Sequence, residues 1–274
     1  MSLVAKLSCV AVMLWAFVIF GCGSAGAPAS NQASRNSATE TVKSNKEAAQ
    51  PNKDGTIPSG TGVEKEKPAA GKANVQGKAF YNEKPAAGVA VKLCSTFSQF
   101  AGGCGGDTYT AKTDDAGEYL IKDVTPGMYE GLTVQVFDTP FYVFATSGFV
   151  SAAKYNIEEG KTYFAPDTHL FKNDVKLSNP KAGAKVAAEG LEVKWEPYPD
   201  AAYYKYSIHA DTASGAVTDY DHISKRVDGT SVSIDKPLAP GSYTAKVEAF
   251  NANDRKLSQT SQDMKFTVTG GAAK

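Results

Sequence analysis

The sequence predicts an all-β protein, two antiparallel β-sandwich domains in tandem after a disordered linker, and three observations predict it. Beyond residue 72 apolar side chains recur at every second position in short segments, the period of a strand with one buried face. Turn-forming residues separate those segments, and the chain carries 25 Gly and 13 Pro, the residues that punctuate strands. From Gly23 to Lys72, by contrast, there is no aromatic residue, and the only aliphatics larger than alanine are Val42, Ile57 and Val63. That is too little apolar surface to offset the entropy of ordering a chain. With 29 basic against 29 acidic residues in 274, no charged field singles out a partner, and a broad nucleic-acid footprint is excluded.

The first element is an address. Lys6 precedes an apolar run from Leu7 to Phe20 broken only by Ser8 and Cys9, about the length of a secretory core and short of the ~20 residues that span a membrane. The run ends Ile19-Phe20-Gly21-Cys22, which resembles the lipobox of bacterial lipoproteins. The resemblance implies that residues 1–21 are a signal peptide cleaved after Gly21, that Cys22 carries lipid, and that the membrane is a partner through that anchor. Several acyl chains, at ~0.8 kcal/mol per buried CH2, hold a protein on a bilayer almost permanently. Gly23 and Ser24 lack the aspartate that retains such lipoproteins in an inner membrane. The implied location is therefore the cell envelope, at an outer membrane, facing periplasm or surface. Residues 22–72 then form the lipidated cysteine and its linker, with a root-mean-square span of roughly 40 Å if flexible and a limit of about 170 Å if fully drawn out.

The second element, residues 73–172, alternates. Val75, Gly77, Ala79 and Tyr81 share one side of an extended segment, and Val89, Val91 and Leu93 one side of the next, with Pro85 and Gly88 supplying the turn. Asp114 and Asp115 suit an Asx-turn onto backbone amides, and Gly117 suits positive φ. Gly88-Val89-Ala90-Val91, Thr113 to Tyr119, and Pro126 to Tyr129, in that order, resemble the carboxypeptidase regulatory-like domain, a small transthyretin-type sandwich. That resemblance implies a fold and an accessory role, sometimes with carbohydrate contact, and no catalytic residue. A more distant likeness to collagen-adhesin repeats that form Lys–Asn isopeptide bonds leads nowhere, because Lys78 alternates away from the Val75-Gly77-Ala79 face and is expected to be exposed.

Once the leader is removed, Cys22 is committed to lipid and Cys94 and Cys104 remain. In an oxidising compartment they are expected to form a disulfide. A metal site is the rival, but two cysteines without a neighbouring histidine or second pair are too few for a closed zinc centre. Between Phe137 and Phe164 lie eight aromatic residues. Strict alternation sends Phe141 and Val143 one way and Tyr142 and Phe144 the other, so this strand has large rings on both sides. Either both faces are covered, by core and by the neighbouring domain, or Phe141, Tyr142 and Phe144 form a candidate binding surface for a sugar or a protein.

The third element, residues 173–270, precedes a four-residue tail, 271–274. Leu191, Val193 and Trp195 alternate with charged residues. Tyr204, Tyr206 and Ile208 face one way, with Tyr203, Lys205, Ser207 and His209 opposite. Val232 with Ile234, then Tyr243 to Ala249, then Met264, Phe266 and Val268 continue the pattern. Leu191 to Trp195, Pro197 to Ala201, Tyr204 to Tyr206, Leu238 to Tyr243 and Ala249-Phe250-Asn251 look like a fibronectin type III domain. The resemblance implies a core Trp195 and a Tyr243 whose hydroxyl returns to the backbone.

Chemistry is not legible. No nucleophile elbow, zinc-binding helix motif or phosphate loop occurs, and the three histidines, His169, His209 and His222, are scattered. Asp114, Asp115 and Glu118 fall short of the six oxygens a calcium ion takes. The expected protein has no catalytic residue, no metal and no cofactor. It is expected to present modules on a tether, with an envelope protein or a polysaccharide as partner, or else to serve as a purely structural spacer.

Overall fold

A computed structural model describes residues 51–98, 103–145, 153–211, 225–261 and 264–270. Among them every regular element is a strand, and no helix occurs. The chain is all-β.

The first sandwich contains β1 (Thr56–Ile57), β2 (Ala73–Tyr81), β3 (Lys84–Pro85), β4 (Ala90–Ser98), β5 (Gly103–Lys112), β6 (Glu118–Val124), β7 (Gly127–Tyr129), β8 (Gly131–Gln135), β9 (Tyr142–Phe144), β10 (Lys154–Ile157), β11 (Thr162–Phe164) and β12 (Thr168–Leu170). One sheet runs β5-β4-β8-β9. Facing it, β2 is the central strand, with β6 and β3 antiparallel to it and β11 and β12 parallel to it. A third small sheet, β1-β10-β7, closes one end. Val91, Leu93, Leu132 and Val134 from the first sheet meet Val75, Tyr119, Ile121 and Leu170 from the second in one core. The parallel pairs depart from the purely antiparallel expectation. They arise because the chain returns to β2 along its whole length, first as β11 and then as β12. Asp114 makes the Asx-turn, its Oδ1 accepting from Ala116 N (3.0 Å) and Glu118 N (2.9 Å), and Gly117 takes φ +71°. Lys78, with a side chain 37% exposed, donates to Glu118 Oε1 at 2.7 Å.

The boundary expected at residue 73 is too late. Thr56 and Ile57 pair with Lys154 and Tyr155 of β10, and Ile57 is 1% exposed while its carbonyl accepts from Tyr163 OH at 2.9 Å. The strap that follows is clasped by amide side chains. Gln76 Nε2 donates to Val63 O, Gln76 Oε1 accepts from Lys65 N, and Asn74 Nδ2 donates to Glu66 O, each at 3.0 Å. Composition missed this because the strap needs one buried aliphatic and a line of hydrogen bonds, and hydropathy registers only the former. Residues 22–50 of the expected linker lie outside the described residues.

The second sandwich contains β13 (Leu177–Asn179), β14 (Lys185–Ala187), β15 (Glu192–Trp195), β16 (Tyr203–Ala210), β17 (Lys225–Val227), β18 (Ser231–Ser233), β19 (Gly241–Phe250), β20 (Lys256–Gln259) and β21 (Lys265–Thr269). A sheet β13-β15-β18 faces β14-β21-β19-β16-β17, with β20 also on β19. Trp195 packs in the core against Tyr204 with centroids 5.4 Å apart, and Tyr243 OH donates to Ala239 O at 2.7 Å. Tyr203, on the face opposite Tyr204 and Tyr206, is buried as well. It stacks on Phe250 at 5.1 Å, and the Arg226 guanidinium covers its ring at 4.0 Å, so an outward position is roofed by a cation and a neighbouring ring.

The two sandwiches meet along a polar seam. The turn between β2 and β3, Asn82 and Glu83 with φ of 48° and 63°, reaches the second unit. Asn82 Nδ2 donates to Asp200 Oδ2 (2.9 Å), Asn251 Nδ2 to Asn82 Oδ1 (2.9 Å) and Asn253 Nδ2 to Glu83 Oε2 (2.7 Å). Along the connection, Lys172 N donates to Leu257 O and Gln259 N to Lys172 O.

Candidate functional site

The sheet β5-β4-β8-β9 turns one face to the core and the other to solvent. In β4, Val91 and Leu93 are buried, so Lys92 between them points outward. Register carries that face across the sheet, since Thr110 and Thr133 flank Lys92 on either side, Phe144 lies opposite Thr133, and Tyr142 lies opposite Gln135. A bulge between Cys94 and Thr96 then shifts the alternation by one residue and delivers Phe97 to the same face. Its ring meets Phe144 edge-on, with centroids 4.8 Å apart at 75°.

Cys94 and Cys104 are joined in a disulfide with Cα atoms 5.5 Å apart, tying β4 to β5 beneath Phe97. Gly131 makes room for it on β8, because a Cβ at that position would lie 2.3 Å from Cys94 Sγ and 3.2 Å from the Phe97 ring. Tyr142, Phe144 and Phe141 are 39%, 38% and 49% exposed. The reading in which both faces of this strand are covered is therefore corrected: the neighbouring sandwich docks at the β2–β3 turn and leaves these rings to solvent. Tyr142 and Phe144 share the outer face, whereas Phe141 sits one residue out of phase and does not join them.

Between the rings is a cleft of about 240 Å³ lined by Lys92, Phe97, Gly103, Cys104, Thr133 and Tyr142. Lys92 brings the only formal charge among the lining residues. Its Nζ stands 4.9 Å from the Tyr142 ring centroid, a cation held by the negative face of an aromatic ring. Lys92, Phe97 and Thr133 were not picked out from the sequence. Alternation alone places Lys92 outward, but its meeting with Tyr142 spans three strands, and Phe97 reaches the face only through the bulge.

Groups with displaced protonation lie elsewhere. Burial draws His169 below its usual 6.5, with Arg255 adding to the effect, and burial raises Asp167 above 3.8. His169 stacks on Phe80 with centroids 5.6 Å apart. Hydrogen bonds from Lys65 and then Lys78 hold Glu118 below its ordinary value, so the acidic turn is engaged by lysines. No cluster of three or more metal-ligating side chains occurs among the described residues. Cys22 and His222 lie outside them. The arrangement suits contact, with a ring face, a hydroxyl and an ammonium presented on a stapled sheet.

No family model matches the chain, and no curated protein does. Among solved structures it is similar to the fibronectin(III)-like modules of CbhA from Clostridium thermocellum, at 18% identity over 36% of this chain and 99% of that one, with a TM-score of 0.25. It is similar to the FN1-FN3 domains of chicken CNTN1, at 15% identity over 74% of this chain and 65% of that one, with a TM-score of 0.25. It is also similar to the full-length major pilin SpaD of Corynebacterium diphtheriae, at 12% identity over 72% and 64%, again with a TM-score of 0.25. Superpositions this loose carry no argument, and the assignment of two β-sandwiches rests on the strands and the two cores.

Proposed function

We propose that the chain is a lipid-anchored, non-enzymatic protein of the cell envelope that presents two β-sandwich interaction modules, and that it makes contact through the outer face of β5-β4-β8-β9. The observation that carries this reading is the set of exposed rings on that face, gathered around a cleft whose sheet is held by a disulfide. Large apolar rings are normally buried, and a rimmed cluster of them at the surface marks a binding region. The anchor is supported by the run from Leu7 to Cys22 and its resemblance to a lipobox. A polysaccharide suits the face better than a folded protein partner does, because the cleft is small and mixes ring surfaces with a hydroxyl and a single ammonium.

The anchor is tested by intact mass of the mature protein isolated from its native cell. The expected species begins at an acylated Cys22, and Cys22→Ser releases the protein from membranes; an unmodified Cys22 removes the anchor. The contact face is tested by a photo-crosslinker placed at position 144 in living cells. It should capture envelope material that the same probe at exposed Val63 does not, and equal capture from both positions would dismiss the face.

A further inference from the structure

We propose that the cleft between Tyr142 and Phe97 binds a carboxylate-bearing polysaccharide, a polymer of uronate sugars, with a sugar ring on Tyr142 and its carboxylate on the Lys92 ammonium. The inference rests on the contact face proposed above and names its ligand class. A pyranose ring has a face of C–H groups and a rim of hydroxyls, which matches an aromatic face beside short polar side chains. Thr133, only 3% exposed, forms part of the cleft floor, and Gly103 adds bare backbone.

Charge decides between neutral and acidic sugars. Lys92 forms no ion pair among the described residues, and no carboxylate lines the cleft. Tyr142 holds the ammonium in place by its ring, which leaves the ammonium's N–H groups to donate to a ligand. A ligand that brings its own negative charge at that point gains a charge-assisted hydrogen bond, roughly twice as strong as a neutral one. Size excludes an engulfed small molecule, because 240 Å³ is below the roughly 300–1,000 Å³ that encloses one. An open cleft of that size takes one or two units of a polymer lying across the sheet. Many copies on one membrane then add their weak contacts by avidity.

The test is calorimetry of the processed full chain with polygalacturonate, alginate and hyaluronate, each set against its own methyl ester. At least one acidic polymer should bind at least about tenfold more tightly than its ester, the size of one hydrogen bond to a charged group, and should weaken as salt is raised. Lys92→Met should bring acid and ester within about twofold of each other, Lys92→Arg should restore the preference, and Tyr142→Ala should weaken both forms. Unchanged melting of the variants shows that the fold is intact. Binding to none of the acidic polymers overturns the proposal, as does equal binding of acid and ester, a preference that survives Lys92→Met, or equally tight binding of polyglutamate, which would make the occupant an acidic peptide. The intact-mass measurement is independent of these titrations, so failure of the ligand and failure of the anchor are read separately.

Discussion

Thr113 is 5% exposed, and its hydroxyl ties together two stretches of chain that share no strand. It donates to Ala86 O at 2.6 Å and accepts from Val89 N at 3.0 Å, while its own backbone exchanges bonds with Gly88 and Val89. Thr113→Val keeps the shape and strands one buried acceptor and one buried donor. The expected loss is about 1–3 kcal/mol of unfolding free energy, read as a lower urea midpoint with an unchanged slope. Four residues on, Gly117 is held at φ +71°, where an added Cβ would come within 2.5 Å of Ala79 O. The obstacle there is backbone and cannot swing aside. Both residues belong to the turn whose composition was readable, although the hydroxyl's two partners were not, because they come from a segment about 25 residues earlier in the chain.

At the scale of the element, the hairpin of β4 and β5 shows what period-two reasoning captures and where it stops. Val91 and Leu93 inward and Lys92 outward follow from alternation, and the sequence carried them. Past Cys94 the register with β5 breaks, Ser95 facing Gly106 and Asp107 together, and Phe97 comes to the side of Lys92, which no periodicity reveals. The strap before β2 was invisible for a different reason, since its partners are the amides of Asn74 and Gln76 and not an apolar stripe. Alternation gives the direction of Tyr203, opposite Tyr204 and Tyr206, but not its burial, because Arg226 and Phe250 close over it. The Cys94–Cys104 link closes a loop of about 11 residues, and removing it restores about 2.8 kcal/mol of unfolded-chain entropy. Cys94→Ala with Cys104→Ala is expected to lower the unfolding free energy by at least about that amount in chemical denaturation. A shift under about 1 kcal/mol would mean that the hairpin holds itself.

For the whole molecule, a histidine near the seam gives the fold a pH sensitivity. His169 sits in β12, stacked on Phe80, with Arg255 lowering and Glu83 raising its proton affinity, and burial as the larger cause of its displacement below 6.5. In the unfolded chain the imidazole takes up its proton first as pH falls. The stability it confers is therefore complete above about pH 6.5 and drains away as pH drops from there toward the folded value. Asp167 has the opposite sign in a lower window: raised above 3.8 by burial, it favours the folded chain below that window and loses this contribution as pH rises through it. Melting temperature is thus expected to decline between pH 7 and pH 5.5, and His169→Gln should flatten that decline; an unchanged slope would place the titrating group elsewhere. The strap has a reckoning of its own. Because the chain joins the body at Thr56 and not at residue 73, no more than 34 residues separate it from Cys22, and even a taut chain of that length measures at most about 120 Å. Under the proposed anchor at Cys22, the first sandwich can stand no farther than that from the lipid, roughly a third closer than hydropathy alone would allow, and a polymer in the proposed cleft must come within that reach.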